Sequence, residues 1–179
     1  MKELSLNLLD IAENSVSAGA RLITMTVRES AAEDTVSVSV ADDGCGMSPE
    51  FLARVLDPFT TTRTTRPVGL GLPLLKMEAE MTGGGLTIES EQGKGTTVIA
   101  VFRRSHIDTP PLGDLAGTVV TLVQGNADID FVFTRSTDAG EYTFSTAEAR
   151  EELGGIPLDE PEILAWIGDF IRENELDII

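Results

Sequence analysis

The sequence predicts an α+β protein, a two-layer α/β sandwich with helices on one face of a mixed sheet. Three observations predict it. A helical stripe opens the chain, two runs of alternating apolar and polar residues follow directly, and a later helix leads into a second pair of strands before residue 105. Apolar residues make up 41% of the 179, which suits an ordinary packed core.

The elements follow in order. Leu4, Leu8, Ile11, Ala12 and Val16 share one stripe of a helix that Gly19 ends. Leu22–Val27 and Val36–Val40 alternate as strands, with a turn at Ala31–Asp34 between them. Asp42–Met47 is a glycine loop. Ser48 caps a short helix that has Pro49 at its first position and ends near Leu56. Phe59–Val68 is a Thr- and Arg-rich loop. Gly69-Leu70-Gly71 opens a helix to about Met81, which the run Gly83-Gly84-Gly85 stops. Leu86–Ser90 and Thr96–Arg103 read as a hairpin. The composition changes around His106–Gly113, and a boundary is placed there, dividing a domain at 1–105 from an extension at 106–179. That extension reads as a short β meander, Thr118–Val123, Asp130–Arg135 and Tyr142–Phe144, plus a helix from Pro161 to about Glu173. Its apolar stripe is Ile163, Ile167, Phe170 and Ile171, with Trp166.

The net charge is −17 and lies mostly in the second part. Residues 1–106 carry 14 acids and 10 bases; residues 107–179 carry 16 acids and 3 bases. Such a field repels phosphate backbones, so nucleic acid is not an expected partner. The acidic half reads either as a solubilising surface or as a contact surface for a basic protein. No signal peptide and no membrane-length apolar run is present, and the single cysteine, Cys45, allows no internal disulfide. A soluble, cytoplasmic protein away from the membrane is the expectation.

Three constellations carry chemistry. Asn7, Asp10, Asn14 and Ser17 recur along one face of the first helix. That face reads as solvated surface or as a place for a hard cation, since an amide oxygen and a carboxylate one turn apart suit an ion that keeps several waters. Asp42 ends an apolar strand and is followed by Gly44 and Gly46. Its carboxylate can accept from an exocyclic amine, which would select adenine over guanine; the plain alternative is a turn. Gly69 and Gly71 precede a helix whose free N–H groups suit phosphate, and Thr62 and Arg63 in the loop before it add donors. The plain alternative there is an exposed loop.

Together these stretches resemble a known superfamily. Leu9-Asp10-Ile11-Ala12-Glu13-Asn14-Ser15 is similar to the asparagine box of the gyrase, heat-shock chaperone, histidine kinase and mismatch-repair (GHKL) ATPases. Asp42-Asp43-Gly44-Cys45-Gly46-Met47 and Val68-Gly69-Leu70-Gly71-Leu72 resemble its two glycine boxes. Asp57-Pro58-Phe59-Thr60-Thr61-Thr62-Arg63 resembles the phenylalanine box of histidine kinases, and Gly93-Lys94-Gly95-Thr96-Thr97 the final strand-turn motif. The resemblance spans about residues 4–103. It implies the Bergerat fold, with ATP and Mg²⁺ as ligands. Asn14 then holds Mg²⁺, with Asp10 near it through water, and Asp42 and Thr96 read the adenine amine. Gly44, Gly46, Met47, Phe59, Thr62, Arg63, Gly69, Leu70, Gly71 and Leu72 complete the nucleotide set. Asp10 occupies the place of a general base, one methylene shorter than the family's glutamate, and Pro67 replaces a glycine found in many kinases. The chain also resembles stand-alone ATP-binding proteins of anaerobes linked to iron-only hydrogenase gene clusters.

Three activities are compatible with this. One is a kinase-type module that phosphorylates a partner in trans, because the chain starts close to the asparagine box without a phosphoacceptor hairpin. The second is slow ATP hydrolysis with Asp10 as base. The third is a non-catalytic adaptor that senses ATP and regulates a partner protein, with residues 107–179 as the contact surface. His106, the one histidine, is either a phosphoacceptor or a hinge residue.

Overall fold

The computed structural model describes residues 3–57 and 71–179. The elements run α1 (Leu4–Ser17), β1 (Leu22–Ser30), β2 (Thr35–Asp42), α2 (Pro49–Arg54), α3 (Gly71–Met81), β3 (Gly85–Glu91), β4 (Gly95–Arg103), α4 (Leu115–Gly125), β5 (Asp130–Thr137), β6 (Gly140–Ser145), α5 (Thr146–Leu153) and α6 (Pro161–Ile178). The strands form one sheet in the order β3-β4-β2-β1-β5-β6. All neighbours are antiparallel except β1 and β5, which run parallel. The fold is α+β, as the sequence predicts.

The alternation in the sequence becomes the two faces of this sheet. One cross-strand row runs Ile88, Val98, Val40, Met25, Phe133, Phe144 through all six strands. Its members are buried or partly buried, and all lie in the core. The opposite rows carry Thr24, Thr26, Ser37, Ser39, Thr134 and Thr143, none of them buried. Above the apolar face α3 packs on β3 and β4, α1 on β1 and β2, and α6 on β5 and β6; α1 also meets α3 and α4, and α4 meets α6.

The short elements follow local chemistry. Ser48 caps α2 by accepting from the Phe51 N–H at 3.2 Å, with Pro49 in the first turn. Ser145 caps α5 in the same way, and Gly154 closes that helix in the left-handed conformation.

One expected strand is a helix. Thr118–Val123 lies inside α4, so the extension contributes a two-stranded hairpin to the main sheet and no three-stranded meander. The β-branched residues Thr118, Val119, Val120 and Val123 favour a strand locally, but propensity is a weak bias. Asp114 caps the segment by accepting from the Gly117 N–H at 2.9 Å. Leu115, Val119, Leu122 and Val123 then fall on one buried helical face against α1 and α6. Thr118 donates its hydroxyl to the Ser5 carbonyl of α1 at 3.0 Å.

The acidic half therefore completes the same sheet and core. Its centre is Arg135, on the buried face of β5 and only 1% exposed. Its guanidinium donates to Glu29 of β1 at 3.0 Å and to Glu175 of α6 at 2.9 Å. Tyr142 donates to the other Glu175 oxygen at 3.0 Å. Burial, with the charge of Glu175 added to it, pushes the Tyr142 phenol well above its ordinary range, so it stays a donor.

Candidate functional site

The site grows from the point where β2 ends. Asp42 stands opposite Thr96 of β4. One Asp42 oxygen accepts from the Gly44 N–H at 2.8 Å; the other accepts from the Ser15 hydroxyl of α1 at 2.6 Å. Ser15 is buried, and a short O–H···O⁻ bond of this kind is charge-assisted and strong. Each carboxylate oxygen has a second lone pair, so Asp42 is fixed in place and keeps accepting capacity.

The glycine loop after Asp42 is pinned on both sides. On the α1 side the Cys45 N–H donates to the Ala18 carbonyl at 2.9 Å. Asp43 accepts from the Arg21 and Leu22 N–H groups at 2.8 and 3.0 Å. Those backbone donors, Leu22 foremost, hold the Asp43 carboxyl below the usual carboxylate range. On the hairpin side the Gly93 N–H donates to the Cys45 carbonyl at 2.7 Å, and the Met47 N–H donates to the Ser90 hydroxyl at 2.9 Å. Two glycines are required by this close approach. Gly46 has φ +68°, and a Cβ there would lie 2.1 Å from the Glu91 carbonyl oxygen; Gly95 has φ +135°, and its Cβ would lie 1.9 Å from the Asp42 carbonyl oxygen.

Ser90 sets the polarity of Thr96. Its hydroxyl donates to the Gly95 carbonyl at 3.0 Å and lies 2.8 Å from the Thr96 hydroxyl; with the Ser90 proton on Gly95, the second contact is donated by Thr96. Thr96 is thereby left as an acceptor, like Asp42 opposite it. Two acceptors side by side suit an amine. Replacing Ser90 by Ala strips the Met47 N–H and the Thr96 hydroxyl of their acceptor. It is expected to cost about 1–2 kcal/mol of stability, read from the urea midpoint at unchanged m-value.

The structure thus brings together Asp42, Gly44, Gly46, Met47 and Thr96. Asn14 precedes Ser15 on α1 and is partly exposed, with Asp10 one turn earlier, also partly exposed. The α1 polar stripe is less uniform than its spacing suggests. Asn7 is buried and its Nδ2 has no partner among the described residues, whereas Ser17 is exposed. Gly71 begins α3, which packs against α1, and apart from its neighbours in the chain no described residue lies within 4 Å of where a Cβ at Gly71 would sit. The Leu72 side chain belongs to the core. Phe59, Thr62, Arg63, Gly69 and Leu70 lie outside the described residues. His106 sits in a turn beyond β4, its Nδ1 accepting from the Asp108 N–H at 3.0 Å.

Two site residues escape a reading of the sequence alone, Ser15 and Ser90. Ser90 leaves a faint trace: Leu86, Ile88 and Ser90 share the core-facing side of β3, and the third is a hydroxyl in an apolar row. Ser15 leaves none, because its role depends on where β2 ends.

A mixed sheet covered on one face by helices, with a strand-end aspartate, a glycine loop and an asparagine-bearing helix at one end, defines a nucleotide-binding ATPase domain. The family described as histidine kinase-, DNA gyrase B- and HSP90-like ATPases matches residues 1–106, and the chain belongs to it.

Among its relatives, the non-motile and phage-resistance protein of Caulobacter vibrioides is 37% identical over 114 residues, covering 60% of this chain and 14% of that protein. The sensor protein SrrB of Staphylococcus aureus is 38% identical over 104 residues, covering 55% of this chain and 17% of that protein. The chain thus spans about a seventh of the first relative's length and about a sixth of the second's. The crystal structure of the N-terminal domain of a DNA repair protein shares the fold, with a TM-score of 0.58 at 15% identity, covering 80% of this chain and 52% of that one. No helix among the described residues is long and apolar enough to cross a membrane.

Proposed function

We propose that this protein binds Mg-ATP between α1, the glycine loop and the start of α3, and passes the γ-phosphoryl group to a partner protein or to water. The observation that carries this reading is the Asp42 carboxylate, held by Ser15 and Gly44 with lone pairs to spare and Thr96 beside it. That pair of acceptors fits the amine of adenine and repels the carbonyl of guanine.

The residues present fit a magnesium ion. Among the described residues no three carboxylate, histidine or cysteine side chains gather into a metal cage. An amide oxygen at Asn14 and a carboxylate at Asp10 suit an ion that takes most of its ligands from water and phosphate. When bound, the ion neutralises phosphate charge. Asn14 would hold it, and Asp10 would orient the attacking water or hydroxyl and take its proton. A cytoplasmic location is part of this proposal.

Titration calorimetry with ATP, ADP and GTP, with and without Mg²⁺, tests the ligand. Tight binding of ATP alone is expected, with the Mg²⁺ dependence lost in Asn14→Ala; equal GTP binding overturns the reading. For turnover, Asp10→Asn is expected to slow phosphate release on the order of 100-fold, the usual worth of a positioned base. Equal rates would remove Asp10 from the chemistry; no measurable release by either protein would favour a second reading, an ATP-sensing switch that regulates a partner without turnover. Asp10's shorter reach than glutamate is what speaks for that alternative.

A further inference from the structure

Beyond the nucleotide chemistry, we infer that the outward face of α6 docks a cationic amphipathic helix of a partner protein. This surface lies over β5 and β6, at the edge of the sheet opposite β3.

The surface centres on Trp166, the one tryptophan of the chain, which is 40% exposed. Its ring packs on Phe170 at a centroid distance of 5.9 Å, and Phe170 packs on Phe144 of edge strand β6, also at 5.9 Å. The indole is thus supported from below while its outer surface faces solvent. An aromatic anchor held this way loses little freedom on binding, and tryptophan is the residue most often found at the energetic centre of interfaces.

The charges around it have one sign. At about 100° per residue, Glu162, Asp169, Glu173 and Asp177 all fall within about 60° of Trp166 around the helix axis. All four are exposed. The single cation of α6, Arg172, lies about 120° away, against Asp169 at 3.7 Å. Glu162, Asp169 and Glu173 lie on one flank of Trp166; about 20° to the other side lies Asp177, and beyond it on that side stand Ile163 and Phe170, both partly buried. The stripe therefore offers an acidic line over about 22 Å of helix beside a shorter apolar line, Ile163 to Phe170, of about 10 Å, at 1.5 Å per residue. A helix with leucines on one flank and arginines on the next matches both lines, and an arginine over the indole adds a cation–π contact.

Charge decides among occupants. A second copy of this chain would bring another net −17 and like charges to the stripe. Nucleic acid and anionic membrane surfaces are repelled for the same reason. A basic protein segment is attracted and oriented by it.

The test uses the full chain and a synthetic 18-residue peptide, with leucines at helical spacing and arginines between. Trp166 fluorescence and the anisotropy of labelled peptide are followed together. A saturable shift of Trp166 emission is expected. The triple variant Glu162→Gln, Asp169→Asn, Glu173→Gln should weaken binding at least tenfold. The same change of charge on the far side of the molecule, Glu50→Gln, Glu89→Gln, Glu91→Gln, should weaken it less than twofold. Trp166→Ala, read by anisotropy, should also weaken it at least tenfold. No saturable response overturns the proposal. So does equal loss in the two triple variants, or equal binding by a peptide with serine in place of every leucine, because either would reduce the effect to overall charge.

Discussion

Asp42→Asn is expected to weaken ATP binding about 10- to 100-fold and to erase the preference for adenine over guanine, with the fold retained. The magnitude is that of a lost charge-assisted hydrogen bond, about 1.5–3 kcal/mol. The direction comes from the local pattern of donors. In the native protein both carboxylate oxygens accept, one from the Gly44 N–H and one from the Ser15 hydroxyl. An asparagine has a single oxygen. The Gly44 N–H cannot reverse, so it claims that oxygen, and the amide nitrogen turns to Ser15, whose hydroxyl can rotate to accept. The side facing a base then presents a donor where an acceptor stood, which opposes the adenine amine and favours the guanine carbonyl. Calorimetry with ATP and GTP on the same variant reads both effects. An unchanged ratio of the two affinities would show that Asp42 does not contact the base.

Arg135→Leu is expected to destabilise the fold by about 3–5 kcal/mol, the usual cost of breaking a buried ion network on one side. The guanidinium is nearly inaccessible and serves Glu29, Glu175 and the Ser136 carbonyl at once. Without it, among the described residues, Glu29 keeps Arg104 at 2.8 Å and Glu175 keeps Tyr142. The double variant Arg135→Leu, Glu175→Leu should recover part of the loss, because one stranded carboxylate goes with the guanidinium.

The same network sets an acid dependence. Burial pushes the Glu29 carboxyl upward, but hydrogen bonds from Arg104 and Arg135 outweigh it and hold the group below its ordinary value of 4.5. A carboxyl lowered in the folded state stabilises the protein above the unfolded value, and that contribution is lost as pH falls through the folded one. Wild-type stability should therefore fall on acidification from about pH 4.5 downwards, and Arg135→Leu should show a shallower fall over the same range. Urea midpoints measured from pH 7 to pH 3 would reveal it. Parallel curves for the two proteins would mean that Arg135 does not set the titration of Glu29.

The fold class, the elements up to Arg103 and the ATPase family were legible in the residues themselves. Period decides element type when one face is buried, and Val36, Val38 and Val40 or Leu4, Leu8 and Ile11 state their period without ambiguity. The candidate site could be marked wherever the backbone must do something unusual, because glycine and a strand-end aspartate mark such places. What the residues could not state was anything that depends on which neighbour a segment meets. Thr118–Val123 has the composition of a strand and becomes a helix because Asp114 caps it and α1 and α6 offer a groove. Arg135 looks like a surface cation and is buried because β5 lies beside β1, which brings Glu29 within 3.0 Å. Ser15 and Ser90 are ordinary serines until the sheet sets one against Asp42 and the other against Thr96. Local sequence determines period, caps and backbone permission. Only the assembled sheet decides which polar groups are desolvated together, and desolvation turns a hydroxyl or a guanidinium into a defined partner.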